Sequence, residues 1–387
     1  MEFELTDEQE LLRENLRKFL DAEILPWDEK YGDEEMTAER AKPLLGMLVP
    51  WGYIGPGQPD DPVVRAILVE EMARVFPGLA GIAFIANAAA GAVATGAHPA
   101  VAERLAGPMA RGELIGCMGI SEPNVGSDPS GIECRAELRG DRYVVNGAKA
   151  WISNGHIADV CVLLCRTDPD KGRAGLQQIV VDRSESPFES RDTPTLGMRS
   201  FPTSELTFSE LEVPAQNRIG GWGEQGGGSG DPRRALSNTL RGFYGARVYS
   251  ALIAVGIAQR AFELALEYTK QRKQFGRAIA GFQLVQEMIA DMATELELAR
   301  LMSYKAMLSL GGPRAAIEAS MSKWYATEAG IRITSKAIQC MGANGLADEN
   351  RVERSFRDAR MWTMPDGTTQ IQKLIIGREL TGVSALR

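Results

Sequence analysis

The chain changes its repeat twice, and those changes limit what it can fold into. Up to residue 115 the apolar residues recur at helical spacing: Leu11, Leu12, Leu16, Phe19 and Leu20 follow a Thr6–Gln9 capping box, and Pro26 is expected to end that helix. Helical patterns continue over Arg40–Leu48, Pro62–Val75 and Pro99–Ala110. From Met118 the pattern becomes short runs over Ile132–Leu138, Arg142–Val145, Lys149–Ile152, Val160–Cys165 and Leu176–Val181. Gly140-Asp141, Asn146-Gly147 and Asn154-Gly155 punctuate them, as tight turns between antiparallel strands would. This β segment ends near Glu205–Phe208 and Val213-Pro214. Beyond the glycine-rich stretch Gly220–Gly230, read as a surface loop, come the long helical patterns Arg234–Gln271, Phe282–Leu310 and Pro313–Met341. Leu284, Met288, Met292, Leu296 and Leu301 trace an apolar stripe along the second of these. Long helices with short connections imply a bundle. The fold class is therefore α+β multidomain: helical over 1–115, β over 116–225, and a helical bundle over 226–387.

A net charge of −8 supplies no basic field for nucleic acid. The N-terminal residues Met1–Leu5 lack a basic region followed by an apolar one, so a cytoplasmic protein is expected. The five cysteines, with no C-x-x-C spacing, fit reduced thiols. His98 and His156 are the only histidines and have no partners at metal-ligand spacing, so no metal site is expected. The stretch from Val75 to Ala102 carries no Asp, Glu, Lys or Arg; Asn87, Thr95 and Pro99 favour a buried helix pair over a membrane span.

Several blocks carry chemistry. Ser121-Glu122-Pro123-Asn124-Val125-Gly126-Ser127-Asp128 is by itself a surface turn. Trp151, within Lys149-Ala150-Trp151-Ile152-Ser153-Asn154-Gly155, would by default be core. Arg272-Lys273-Gln274-Phe275-Gly276, followed by Phe282-Gln283, is either a solvated helix end or an anion site, since a guanidinium fork matches phosphate oxygens. Asp366-Gly367, after Met364-Pro365, is a turn pair that could also cap a helix beginning near Thr369.

In this order, with Leu196-Gly197-Met198-Arg199, Gln339-Cys340-Met341-Gly342-Ala343-Asn344-Gly345 and Arg357-Asp358-Ala359-Arg360, these blocks resemble the signatures of the acyl-CoA dehydrogenases over essentially the whole chain. The resemblance implies an N-terminal helical domain, a central β domain and a C-terminal four-helix bundle, with FAD between the last two. It implies a homodimer or homotetramer in which a second subunit completes the cofactor site. Met118, Ile120, Ser121, Gly126 and Ser127 would meet the flavin, with Trp151 packed on it and Ile152 and Ser153 beside it. Arg272, Gln274, Phe275 and Gln283 would hold the pyrophosphate and adenosine, and the turn at Gln339, Cys340, Gly342 and Ala343 would approach the cofactor of a partner subunit, as Thr368 and Gln370 would approach FAD. Ser127, Arg241 and Gly367 would lie along an acyl thioester of CoA or a carrier protein.

The family's base is a glutamate, and Asp366 stands in its place. It would take the α-proton while the β-hydrogen leaves as hydride to the flavin. Its reach is shorter by one bond, ~1.5 Å, and a displacement of about 1 Å can cost on the order of a hundredfold in rate. Some relatives carry the base immediately before an arginine; reading that arginine as Arg241 puts Leu240 at the alternative position. Pro365 replaces an aromatic residue, and the loop near Ile54–Pro62 is altered, so a reshaped acyl pocket is expected. Ala343 stands at a usual glycine. The electron acceptor would be an electron-transfer flavoprotein or oxygen. Asp366 also leaves open a nitroalkane-oxidase-like enzyme and a non-catalytic flavoprotein. Neither nucleic acid nor a membrane is expected as a partner.

Overall fold

The computed structural model describes residues 4–55, 58–220 and 235–385, and the side chains of these except 235–241. Most of Gly220–Gly230, and the side chains of Leu240 and Arg241, therefore lie outside the described residues.

Helix α1 (Asp7–Phe19) begins at the expected capping box: the Thr6 hydroxyl accepts from Gln9 N, and the Gln9 side chain accepts from Thr6 N. Pro26 does not end the segment. A π turn at Leu20–Ile24 delivers it into the first turn of α2 (Leu25–Tyr31), where a missing N–H leaves no helical bond unmade. Then follow α3 (Ala38–Leu48), α4 (Pro62–Val75), α5 (Pro77–Gly96) and α6 (Pro99–Ala110). The charge-free stretch supplies α5, whose Leu79, Ile82 and Ala83 join Ile67 and Met72 of α4 in one core. That packing accounts for its apolarity; 56% of α5's most apolar window is inside the protein.

The β region is one seven-stranded sheet: β1 (Gly116–Gly119), β2 (Arg135–Arg139), β3 (Arg142–Ser153), β4 (Val160–Arg166), β5 (Leu176–Asp182), β6 (Glu189–Asp192) and β7 (Thr203–Pro214). The order is β1-β4-β2-β3-β7-β6, with β5 on β4. Two expectations change here. The sheet is not wholly antiparallel, because β1 runs parallel to β4. Asn146-Gly147 is not a turn: β3 is continuous and bulges there, Gly147 lies at φ 142, and Asn146 accepts from Glu210 N on β7. A second bulge, between Lys149 and Ile152, holds Trp151.

Helices α7 (Ala235–Gln271), α8 (Gln283–Leu308), α9 (Ala315–Met341) and α11 (Thr369–Thr381) form the bundle, with short α10 (Val352–Met361) beside it. A two-residue ribbon, β8 (Lys273–Gln274) with β9 (Arg277–Ala278), joins α7 to α8. Small residues let the helices approach closely: Ala251, Val255 and Ala258 of α7 meet Ala326, Ala329 and Ile333 of α9. Met292 and Leu296 of the expected α8 stripe join this core, whereas Leu284 is exposed.

The Leu196–Arg199 block docks the sheet on the bundle. A Cβ on Gly197 would stand 2.3 Å from the Arg357 carbonyl carbon and oxygen, and the buried Asp358 carboxylate accepts from Met198 N. Gly197→Ala is accordingly expected to cost about 1–3 kcal/mol, because the obstructing atoms are backbone and cannot rotate away. Urea unfolding of the variant, compared with an alanine at the unobstructed Gly242, measures it.

Candidate active site

Asp366 lies in the turn between α10 and α11 with φ 56, followed by Gly367 with φ 95. Asp tolerates this left-handed region better than most residues with a Cβ, and Gly has no Cβ to clash. Three side chains hold the turn through its carbonyl oxygens. Arg247 Nε donates to Asp366 O at 3.2 Å, and Gln372 Nε2 donates to Asp366 O and Gly367 O at 3.0 and 2.8 Å. Lys323 Nζ donates to Gly367 O and Thr363 O, both at 2.9 Å. Among the described residues the Asp366 N–H has no acceptor. Asp366 does not cap α11; Thr368 does, its hydroxyl accepting from Ile371 N.

The Asp366 carboxylate accepts from Ser250 Oγ at 2.6 Å. Burial raises its pKa above the ordinary carboxylate value, against the opposing pull of the Ser250 hydroxyl, Lys323 and Arg247. Burial also pushes Lys323 down to about 8 and lowers Arg247. A carboxyl made more basic by burial, yet kept ionisable by two buried cations, is suited to taking a proton from a carbon acid. Since the Ser250 bond favours the charged form, Ser250→Ala should raise the Asp366 pKa further. The acid limb of a kcat–pH profile should then move to higher pH, and an unmoved limb would show that this carboxylate is not what titrates.

Sequence reading missed Ser250, Arg247, Lys323 and Gln372. The arginine against Asp366 is Arg247, six residues beyond Arg241, and Ala246 precedes it. No carboxylate stands at the alternative base position on this alignment either.

The other expected residues fall into two groups. On the sheet, Ala150 N donates to Ser121 O at 3.0 Å, and a buried ion pair, Lys149 Nζ to Glu122 Oε1 at 2.8 Å, binds β3 to the signature turn. Glu122 also accepts from Glu133 N and Cys134 N, and Lys149 donates to Ile120 O. Held this way, Trp151 takes φ 62 and is 66% exposed, while Ile152 is buried, Met118 and Ser153 are half-buried, and Gly126 and Ser127 are exposed. At one end of the bundle, Phe275 is 93% exposed at φ 50 in the β8–β9 ribbon, its ring 6.0 Å from Phe282, with Arg272, Gln274 and Gln283 exposed nearby in the chain. The turn after α9 reaches the same end: Asn344 Nδ2 donates to Tyr268 Oη at 2.6 Å. There Gln339, Gly342 and Ala343 are exposed, but the Cys340 side chain is buried beside Met288, leaving its backbone for any ligand. Gln370 is exposed on α11. Among the described residues no hydrogen bond or ring contact joins the sheet group to the bundle-end group.

The donor set suits FAD: an uncovered indole beside small hydroxyls for a flat ring, and a guanidinium with amides and an uncovered phenyl for a phosphorylated nucleoside.

Comparison with known proteins gives a match in every part of the chain. Residues 6–113, 117–211 and 236–381 match the N-terminal, middle and C-terminal domains of acyl-CoA dehydrogenases. The cyclohex-1-ene-1-carbonyl-CoA dehydrogenase of Syntrophus aciditrophicus is 36% identical, over 97% of this chain and 91% of its own. Subunit CarC of the caffeyl-CoA reductase–Etf complex of Acetobacterium woodii is 34% identical, over 95% and 96%. The structure of a glutaryl-CoA dehydrogenase in complex with glutaryl-CoA superposes with a TM-score of 0.88 at 31% identity, covering 99% of this chain and 97% of the other.

Proposed function

Because this chain belongs to the acyl-CoA dehydrogenase family, we propose that it is an FAD-dependent enzyme that oxidises the α,β bond of an acyl-CoA, with Asp366 as the base. The observation that carries the reading is the Asp366 turn: a carboxyl made basic by burial, on a backbone whose Asp366 and Gly367 carbonyls are held by side chains and whose Asp366 N–H has no acceptor among the described residues. FAD, when bound, supplies the acceptor for the β-hydrogen as hydride.

The chain's own residues do the rest. Asp366 takes the α-proton. Its N–H is available to the thioester oxygen, where negative charge develops as the proton leaves. Lys323, Gln372 and Arg247 fix the turn, so that the shorter side chain starts from a defined place. Trp151 and Ser153, with Ser121 from the neighbouring turn, would hold the cofactor by supplying an apolar wall and a polar edge. Arg272, Gln274, Phe275 and Gln283, with the turn at Gln339–Ala343, form the nucleoside end. The exposed Phe275, in ring contact with Phe282, and the exposed Leu284 just beyond it favour a second subunit there, since neighbouring apolar side chains left uncovered together mark an interaction face. The relation to CarC, which works in a complex with Etf, favours an electron-transfer flavoprotein as acceptor.

Anaerobic addition of short and cyclic acyl-CoA thioesters should bleach the flavin band of the holoenzyme. The aspartate alone favours a second reading, an oxidase of nitroalkanes; peroxide formed with nitroalkanes, together with an oxidised flavin under every thioester, would select it instead.

A further inference from the structure

A cavity opens where the N-terminal helices meet α7, lined by Tyr53 and Gln58 of the α3–α4 connection, Arg65, Leu68 and Val69 of α4, Ala80, Ala83 and Phe84 of α5, and Tyr249 of α7. Its α7 wall is Tyr249, the residue before the Ser250 that binds Asp366, so it is continuous in the chain with the proposed catalytic turn. Most of the lining is apolar, and Phe84 stacks on Tyr249 with centroids 4.9 Å apart. Arg65 is its one charged member, and none of the lining residues is acidic.

Arg65 is not paired. No ion pair or side-chain hydrogen bond involves its guanidinium among the described residues, and its Nε is buried without any partner. Three arginines elsewhere at the domain junctions hold carboxylates: Arg74 holds Glu71 and Asp21, Arg300 holds Glu70, and Arg354 holds Asp28. A buried guanidinium nitrogen without an acceptor costs free energy that a ligand can recover, and its planar fork suits a carboxylate best. The Tyr249 phenol, on which Arg65 and Gln58 both bear, adds a donor at the same place.

We propose that this cavity receives the far end of the acyl chain and that Arg65 recognises a carboxylate there. The preferred substrate is thus a short ω-carboxyacyl thioester. This rests on the dehydrogenase reading above, since it assigns one end of that substrate. The charge is read by a residue from α4, in a cavity whose α5 side is apolar.

The test uses the FAD-loaded holoenzyme and pairs of acyl-CoA thioesters of equal chain length, ending in methyl, carboxylate or the carboxyl methyl ester. Two quantities are read: kcat/KM for flavin reduction, and calorimetric affinity for the matching 2-enoyl products. The carboxylate should be preferred by about tenfold to a hundredfold in both, the worth of one charge-assisted hydrogen-bonded pair. Arg65→Gln should remove the preference, chiefly through KM, while leaving the methyl-terminated thioesters within about threefold; Arg65→Lys should restore part of it. Equal use of the methyl and carboxylate ends by the wild type, or equal loss of both in Arg65→Gln, would overturn the proposal while the dehydrogenase reading stood. Tight, carboxylate-selective binding with no bleaching would sustain the subsite and overturn the dehydrogenase reading instead.

Discussion

Asp366→Asn is expected to lower the rate of flavin reduction by an acyl-CoA by about 10² to 10⁴-fold, the range typical of losing a positioned general base. The substitution is nearly isosteric, and the carbonyl oxygens that Arg247 and Gln372 grip belong to the backbone. The turn should therefore persist, with flavin content and acyl-CoA affinity close to wild type. The proton would have nowhere to go, because Ser250 and the two cations nearby are donors. Stopped-flow reduction under anaerobic conditions measures it. A rate within tenfold of wild type would remove Asp366 from the chemistry and leave another base as the better account.

The largest effect on stability is expected at Lys149. Its side chain is fully buried and Glu122, its partner, nearly so, and the pair carries the signature turn on β3. Lys149→Met should cost about 3–5 kcal/mol, because it leaves a buried carboxylate facing an apolar group. Glu122 would keep only the backbone donors at residues 133 and 134. Changing Glu122 to Gln in the same protein should recover much of the loss, since an uncharged amide tolerates burial better than an unpaired ion. Urea unfolding of the single and double variants reads the cycle. FAD should also bind more weakly to Lys149→Met, since Trp151 sits in the bulge that this pair anchors. A single variant as stable as wild type would mean that the pair only fills space.

Much of the architecture was legible because periodicity survives translation into structure. The capping box at Thr6 and the bounds of α4 and α6 follow from local rules that tertiary contacts did not override. The misreadings came where a local signal serves a longer element. Asn146-Gly147 has turn chemistry, but β7 lies opposite and receives Asn146, so the backbone bulges instead of reversing. Pro26 breaks a helix in isolation, yet a π turn in front of it absorbs the break. At the site, Asp366 was visible because its motif is contiguous. Ser250, Arg247, Lys323 and Gln372 were not, since they come from α7, α9 and α11 and meet only in the folded bundle. Arg241 was read for Arg247 because spacing along one helix does not say which arginine reaches a turn more than a hundred residues away.

The central claim is that the carboxyl of one half-buried aspartate takes the α-proton of a bound acyl-CoA. The most direct measurement is deuterium incorporation at that carbon in D2O, followed by NMR, with a 3-thia acyl-CoA that cannot complete the oxidation. The account predicts α-exchange catalysed by the wild-type holoenzyme, with an acid limb set by Asp366, and its loss in Asp366→Asn at unchanged binding. Exchange that persists in Asp366→Asn, or that fails in the wild type while the ligand is bound, would contradict it.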